Sequence, residues 1–263
     1  MLYWIYDIPT WVFGAITCSL FAAGTWLAIL ALRPLVHARL RAEPRANDLV
    51  GFTFSSFAVF YGLLLGLLAV AAYQNYSNVD DGVSHEAAGL TALYHMAASY
   101  PSPTREDLQE KLREYTRDTI ERGWPLQRRG IAPSGGPQRM SALYAALLSF
   151  EPRDAGEQIV HAEALRTLNH YDELRRLRLT NVTAGIPAVL WYVVAIGAVL
   201  AIILLALFDM EPRVHLILGG AFSLFLGMMI FTIAAMDNPF RGEVSISPDA
   251  LQGVYDSLMR PAR

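Results

Sequence analysis

Apolar residues fill four long stretches of this chain, residues 11–32, 49–72, 186–208 and 214–236. Between the second and third stretches the pattern loosens to one apolar position every three or four. Crossing a bilayer core takes about 20 apolar residues, each advancing a helix by roughly 1.5 Å. All four stretches are therefore predicted to be transmembrane helices. None contains Asp, Glu, Lys, Arg or His except His215, at the very edge of the fourth. The first is longer than a signal-peptide core and lacks both a basic flank and a cleavage site, so it is expected to stay in place. The predicted fold is an all-α membrane protein. Two transmembrane hairpins, residues 1–72 and 186–236, flank an inserted helical bundle at 73–185, and a tail follows at 237–263.

Within the insert the spacing predicts helices. Val79, Val83, Leu90, Tyr94 and Ala97 recur at helical steps, so the second span should run on as one helix to about Ser99. Pro101 and Pro103 end it. Thr104 and Asp107 have the spacing of a capping box for a helix with Leu108, Leu112 and Tyr115 on one face. Residues 123–137 read as loop from their Gly and Pro content. Met140, Leu143, Tyr144 and Leu147 mark a third helix, and 154–178 a fourth. Pro187 suits the first turn of the third span.

The tail is more than a span terminus. Asn238 precedes Pro239, which disfavours helix in the residue before it. Phe240 follows, and the alternation of "GEVSIS" places Val244 and Ile246 on one face of an extended arm. Ser247 is a suitable N-cap and Pro248 a suitable first helical residue. Leu251, Val254, Tyr255 and Leu258 then give a short helix one apolar face. So short a helix is marginal alone in water. It is expected to dock as a clamp on the inserted domain, of its own or a neighbouring subunit.

Composition supports the membrane reading: 54% of residues are hydrophobic and 17% charged, where soluble domains carry about 25% charge. The net charge of −3 gives no footprint for nucleic acid. The single cysteine, Cys18, leaves no intrachain disulfide. Orientation follows from short-loop arginines. Residues 1–10 have none, whereas loop 33–48 carries Arg33, Arg39, Arg41 and Arg45. That loop should face the cytoplasm of a bacterial inner membrane, with N-terminus, insert and tail outside. Arg175, Arg176 and Arg178, beside the third span, point the other way.

Chemistry is sparse. Gly51, Ser55, Ala58, Gly62, Gly66 and Ala69 fall within a stripe of about 80° on the second span. Such a stripe serves close helix packing or lines an oligomeric pore. Gly220, Ser223 and Gly227 form a weaker one. With no ionisable group at membrane depth, proton coupling and voltage sensing lose their machinery. Glu86 lies on the apolar face of Val79, Val83 and Leu90, where a carboxylate needs a partner. It is expected either to pair with an arginine of the fourth insert helix or to sit at a pore mouth. His161, His170, Glu163 and Glu173 match no metal-ligand spacing, and no catalytic or nucleotide motif occurs. No cofactor, metal or enzymatic activity is expected.

Four pieces, in order, resemble the bestrophin-like domain of unknown function, a family of four-span proteins of bacteria and plants. They are "NDLVGF" from Asn47, "HEAAGLTALY" from His85, "WP" at Trp124 and Pro125, and "NPFRGEVSISPDAL" from Asn238. Gly123 stands before Trp124 where that family's pattern has an acidic residue. The resemblance implies an oligomeric ion channel, since bestrophins are pentameric chloride channels with two hairpins flanking a helical domain. It implies a cytosolic helical domain, opposite to the arginine count. The function expected is a homo-oligomeric membrane pore. The alternative is an envelope sensor or scaffold whose insert binds a partner protein.

Overall fold

The computed structural model describes residues 3–39 and 45–260. Arg41 of the first loop and residues 261–263 of the tail lie outside the described residues. Among the described residues every regular element is helical. In chain order the α-helices are α1 (Thr10–Arg39), α2 (Ala46–Ala97), α3 (Thr104–Asp118), α4 (Trp124–Arg128), α5 (Gly136–Leu148), α6 (Ala155–Asn181), α7 (Ala188–Ala206), α8 (Pro212–Met236) and α9 (Asp249–Val254). Helices α1, α2, α7 and α8 are long and apolar enough to cross a membrane. The chain divides into two compact units. One takes the chain up to Gln74 with Gly185–Asp237 and Gly242–Val244; the other takes Asn75–Ala184, Asn238–Arg241 and the chain from Ser245.

In the first unit α1 packs chiefly along α8, not along its chain neighbour α2. Lipid tails are as apolar as leucine, so span association depends on close van der Waals fit. Glycine supplies that fit on α8. A Cβ added at Gly219 would lie 2.7 Å from Ile29, and one at Gly227 only 3.1 Å from the Cys18 Cα. The Trp26 indole donates to the Leu216 carbonyl at 2.9 Å. Helix α2 meets α7 differently. Tyr61 lies against Gly197, where a Cβ would collide with its ring, and its hydroxyl donates to the Val194 carbonyl at 2.7 Å.

Both ends of this unit are pinned by polar side chains. At one end Asn47 donates to the Asp209 carbonyl at 2.8 Å and accepts from the Asp209 N–H at 2.9 Å. Glu211 caps α8 by accepting from the Val214 N–H, and Pro212 fills its first turn. At the other end Tyr6 donates to the Ala234 carbonyl, and Glu243 accepts from the Thr10 N–H. Asp237 there accepts from the Ile186 N–H and the Trp191 indole. Pro187 is the residue before α7, not part of its first turn, and has extended ψ of 135°.

The second unit is built on one buried cluster drawn from the latter part of α2, from α3 to α6 and from the tail. Three details differ from the sequence reading. Pro103, not Thr104, holds the cap position of α3, and no side chain caps it, because Thr104 is already helical. Residues 123–137 are only partly loop. A π-turn (Thr119–Gly123) leads into α4, where Pro125 sits in the first turn and needs no N–H, and Gly136 opens α5. Helix α6 begins where expected, with the Asp154 side chain accepting from the Glu157 N–H at 2.8 Å.

The third difference is in the tail. There is no extended arm: residues 239–244 turn, and Gly242 has φ of +80°, a conformation that breaks strand alternation. Val244 is exposed while Ile246 is buried, so the two do not share a face. The Ile246 N–H instead closes the turn on the Pro239 carbonyl. Helix α9 starts at Asp249, and Ser247 Oγ accepts from its N–H only at 3.5 Å, the outer limit of a hydrogen bond. A π-turn (Tyr255–Met259) completes it.

Candidate functional site

Two places have the residues from which function can be argued, one in each unit. In the membrane unit it is the small-residue face of α2. The side of α2 turned to its own chain is that of Tyr61, Leu65, Leu68 and Ala72, all buried. The stripe lies beside that side. Gly51, at its start, meets the Phe208 ring 3.7 Å from an added Cβ. Farther along, among the described residues nothing comes within 4 Å of a Cβ built on Gly62 or Gly66. Ser55 and Gly62 are exposed, and Ala58, Gly66 and Ala69 half-buried. Within the described residues, Gly62 and Gly66 therefore serve no close packing of this chain on itself. The α8 stripe is the opposite case, its glycines pressed against α1.

In the helical unit the site is a buried charge cluster. Glu86 is fully buried, and both its oxygens are taken by Arg178 of α6: Oε2 by Nε at 2.6 Å and Oε1 by Nη2 at 3.0 Å. This two-pronged fit is the strong form of a guanidinium–carboxylate pair. Glu86 is thus ion-paired within its own chain, with its carboxylate buried. Arg178 Nη1 donates to Gln127 Oε1 at 2.6 Å, and the guanidinium carbon stands 5.2 Å from the Trp124 ring centre. Burial works against the charged guanidinium, but Glu86 outweighs it and holds the Arg178 pKa above its ordinary value. Burial also pushes the phenol of Tyr171 far up, with Tyr115 beside it adding to the effect. Both tyrosines stay neutral around the pair.

The tail meets the same cluster. The Trp124 indole donates to the Ile246 carbonyl at 3.2 Å, and its ring packs edge-on against Phe240 at 5.8 Å. Arg113 of α3 donates to the Met259 carbonyl at 2.6 Å. Of the tail residues singled out in the sequence, Pro239, Phe240, Ile246 and Leu251 are buried, Tyr255 is half-buried, and Val244 is exposed. Gly130, at φ of +72°, has the Arg241 guanidinium where a Cβ would be, so only glycine fits that turn.

Three of the four sequence pieces therefore converge, through Glu86, Trp124, Phe240 and Ile246; the fourth supplies Asn47 to the other unit. Gln127, Tyr171 and Asp172 were not signalled by any motif. Arg175 and Arg178 stood out in the sequence as charges near a span and, without a choice between them, as possible partners for Glu86. His161 bonds to Tyr100 at 3.0 Å and His170 faces Glu173 at 3.6 Å, and the four residues considered as metal ligands do not come together. Among the described residues no group of three such side chains is placed to hold a metal ion.

Comparison with known proteins places this architecture. A family model described as the Bestrophin-like domain matches residues 19–251. Two mutant crystal structures of a bacterial bestrophin homologue from Klebsiella pneumoniae share the fold, at 11% and 12% identity with TM-scores of 0.65 and 0.66. The matches cover 93% and 94% of this chain and 97% of the homologue in each case. A further crystal structure, described as a membrane protein, matches at 11% identity and TM-score 0.66, over 94% of this chain and 97% of its own. No curated protein matches the sequence.

Proposed function

This chain belongs to the Bestrophin-like family, and we propose that it forms a homo-oligomeric, passive ion-conducting pore lined by the small-residue face of α2. One observation carries the reading. Among the described residues nothing lies within 4 Å of a Cβ built on Gly62 or Gly66 of α2, while its adjacent face buries Tyr61, Leu65 and Leu68. Glycine costs about 1 kcal/mol in a helix interior relative to alanine in water, so an uncovered pair needs a use outside the protomer. Side chains absent from that face leave room for ions where subunits surround a common axis. The lack of ionisable side chains at membrane depth fits a passive pathway over a coupled one.

Orientation rests on charge. The loops at 33–48 and 209–213 are joined by the Asn47–Asp209 bonds, which puts Arg213 at the same membrane face as the first-loop arginines. That arginine-rich face is the cytoplasmic one, and the helical unit and tail are outside. The membrane is the bacterial inner membrane. The purified chain in proteoliposomes should carry ion flux that rises with protein content. Vesicles with folded, inserted protein and no flux above empty ones would exclude a pore and leave the scaffold reading.

A further inference from the structure

The helical unit has a small, partly open cavity of about 20 Å³ beside the Glu86–Arg178 pair, lined among others by Thr119, Gly123, Gln127, Gly136, Arg175 and Arg178. That volume holds a ligand about the size of one water molecule. Its wall is rich in donors. Gln127 is fully buried, and Arg178, which can only donate, fixes the amide by occupying its Oε1. Nε2 is thereby turned toward Gly123, 3.6 Å from where a Cβ would be, and has no hydrogen-bond partner among the described residues. Arg175, also buried, gives a single bond of 3.2 Å to Asp172, whose other oxygen takes two bonds from Arg176. The Arg175 charge is therefore only partly matched.

The backbone around the cavity is shaped to the same end. Gly136 lets the Arg175 guanidinium lie directly on the α5 backbone, where any side chain would collide with Nη2. The π-turn (Thr119–Gly123) inserts one residue between α3 and α4 and carries Thr119 and Gly123 into the wall. The Asp118 carboxylate also lines the cavity but is bridged by Arg139 at 2.6 Å and Arg122 at 3.5 Å. Three carboxylates, Glu86, Asp118 and Asp172, thus meet five arginines, of which Arg122 and Arg176 are largely exposed.

We infer that this cavity is a binding site for one small monovalent anion of halide type, held between Gln127 Nε2 and the Arg175 guanidinium. An anion accepts from both groups and balances the arginine that Asp172 shares with Arg176. A water could accept from both but would leave that charge unmatched. The test uses the full-length protein in detergent with bromide as the probe. Crystals grown in bromide should give an anomalous peak between Gln127 and Arg175. The melting midpoint in about 0.1 M bromide should exceed that in gluconate at equal ionic strength by about 3 °C. The isosteric Gln127→Met variant should lose both the peak and the difference. An ordered water with no bromide peak, or a wild-type midpoint indifferent to the anion, overturns the proposal whether or not the variant folds.

Discussion

Helix α2 serves the two units in two ways, and the contrast separates what each unit is for. In the membrane unit it makes contact through shape, with Tyr61 laid on Gly197 and anchored to a single backbone carbonyl. In the helical unit it makes contact through charge, with Glu86 sealed against Arg178. Shape suffices where the solvent is lipid, because burying leucine there changes little and only close fit holds spans together. Charge pairing in a water-solvated bundle fixes one arrangement, since a wrong register leaves a bare buried ion. The membrane unit keeps a small-residue face uncovered, and the helical unit closes its polar groups around a cluster.

The largest effect should come from separating the buried pair. Glu86→Ala leaves Arg178 charged and unpaired, and should destabilise the helical unit by about 3–5 kcal/mol. Denaturation of the purified protein, read by protease sensitivity of residues 73–185, would show it. Replacing both partners, Glu86→Leu with Arg178→Met, should recover most of the loss; a double variant as unstable as the single one would mean that the pair's wider network dominates. Next is the tail. Leu251→Ala removes a side chain that is 1% exposed and should cost about 2–4 kcal/mol. Deleting residues 243–263 should expose the insert to protease while the spans remain inserted, and an unchanged cleavage pattern would refute the clamp.

A smaller effect tests the shape side of the contrast. Gly197→Ala drives a methyl into the Tyr61 ring and should cost about 1–3 kcal/mol. Gly62→Ala meets nothing and should not destabilise the chain, any shift being a gain of up to about 1 kcal/mol. Gly62→Leu should likewise spare the protomer but reduce assembly or flux. Equal losses for Gly197→Ala and Gly62→Ala would erase the distinction between a packed and an open glycine. The smallest change is Val244→Ser, at an exposed site, expected to shift stability by less than about 0.5 kcal/mol.

The spans were legible because a run of about 20 uncharged apolar residues has few other uses. Their neighbours were not, since the order of hairpins in the chain does not say that α1 would pack along α8. Glu86 could be read as a residue needing a partner, and the arginine-rich end of α6 as the place to find one. Choosing Arg178 over Arg175 needed the structure, because three helical steps leave the two about 60° apart on one buried face, and only the observed bonds show which guanidinium meets Glu86. Residues 123–137 were misread because Gly and Pro mark loops on average, while Pro125 occupies a helical first turn and Trp124 is anchored in the core. Val244 was misplaced because alternation presumes a regular strand, and the positive φ of Gly242 interrupts it. The small-residue stripe was visible in the sequence, but whether it was covered was not.

That question has a direct measurement. In a Cys18→Ala background, a cysteine introduced by Gly66→Cys should let a charged thiol reagent reduce ion flux through proteoliposomes. The same reagent should leave flux unchanged through Leu67→Cys, one residue on and 61% exposed but off the stripe. Flux that falls for both positions, or only for Leu67→Cys, would contradict a pore lined by the Gly62–Gly66 face.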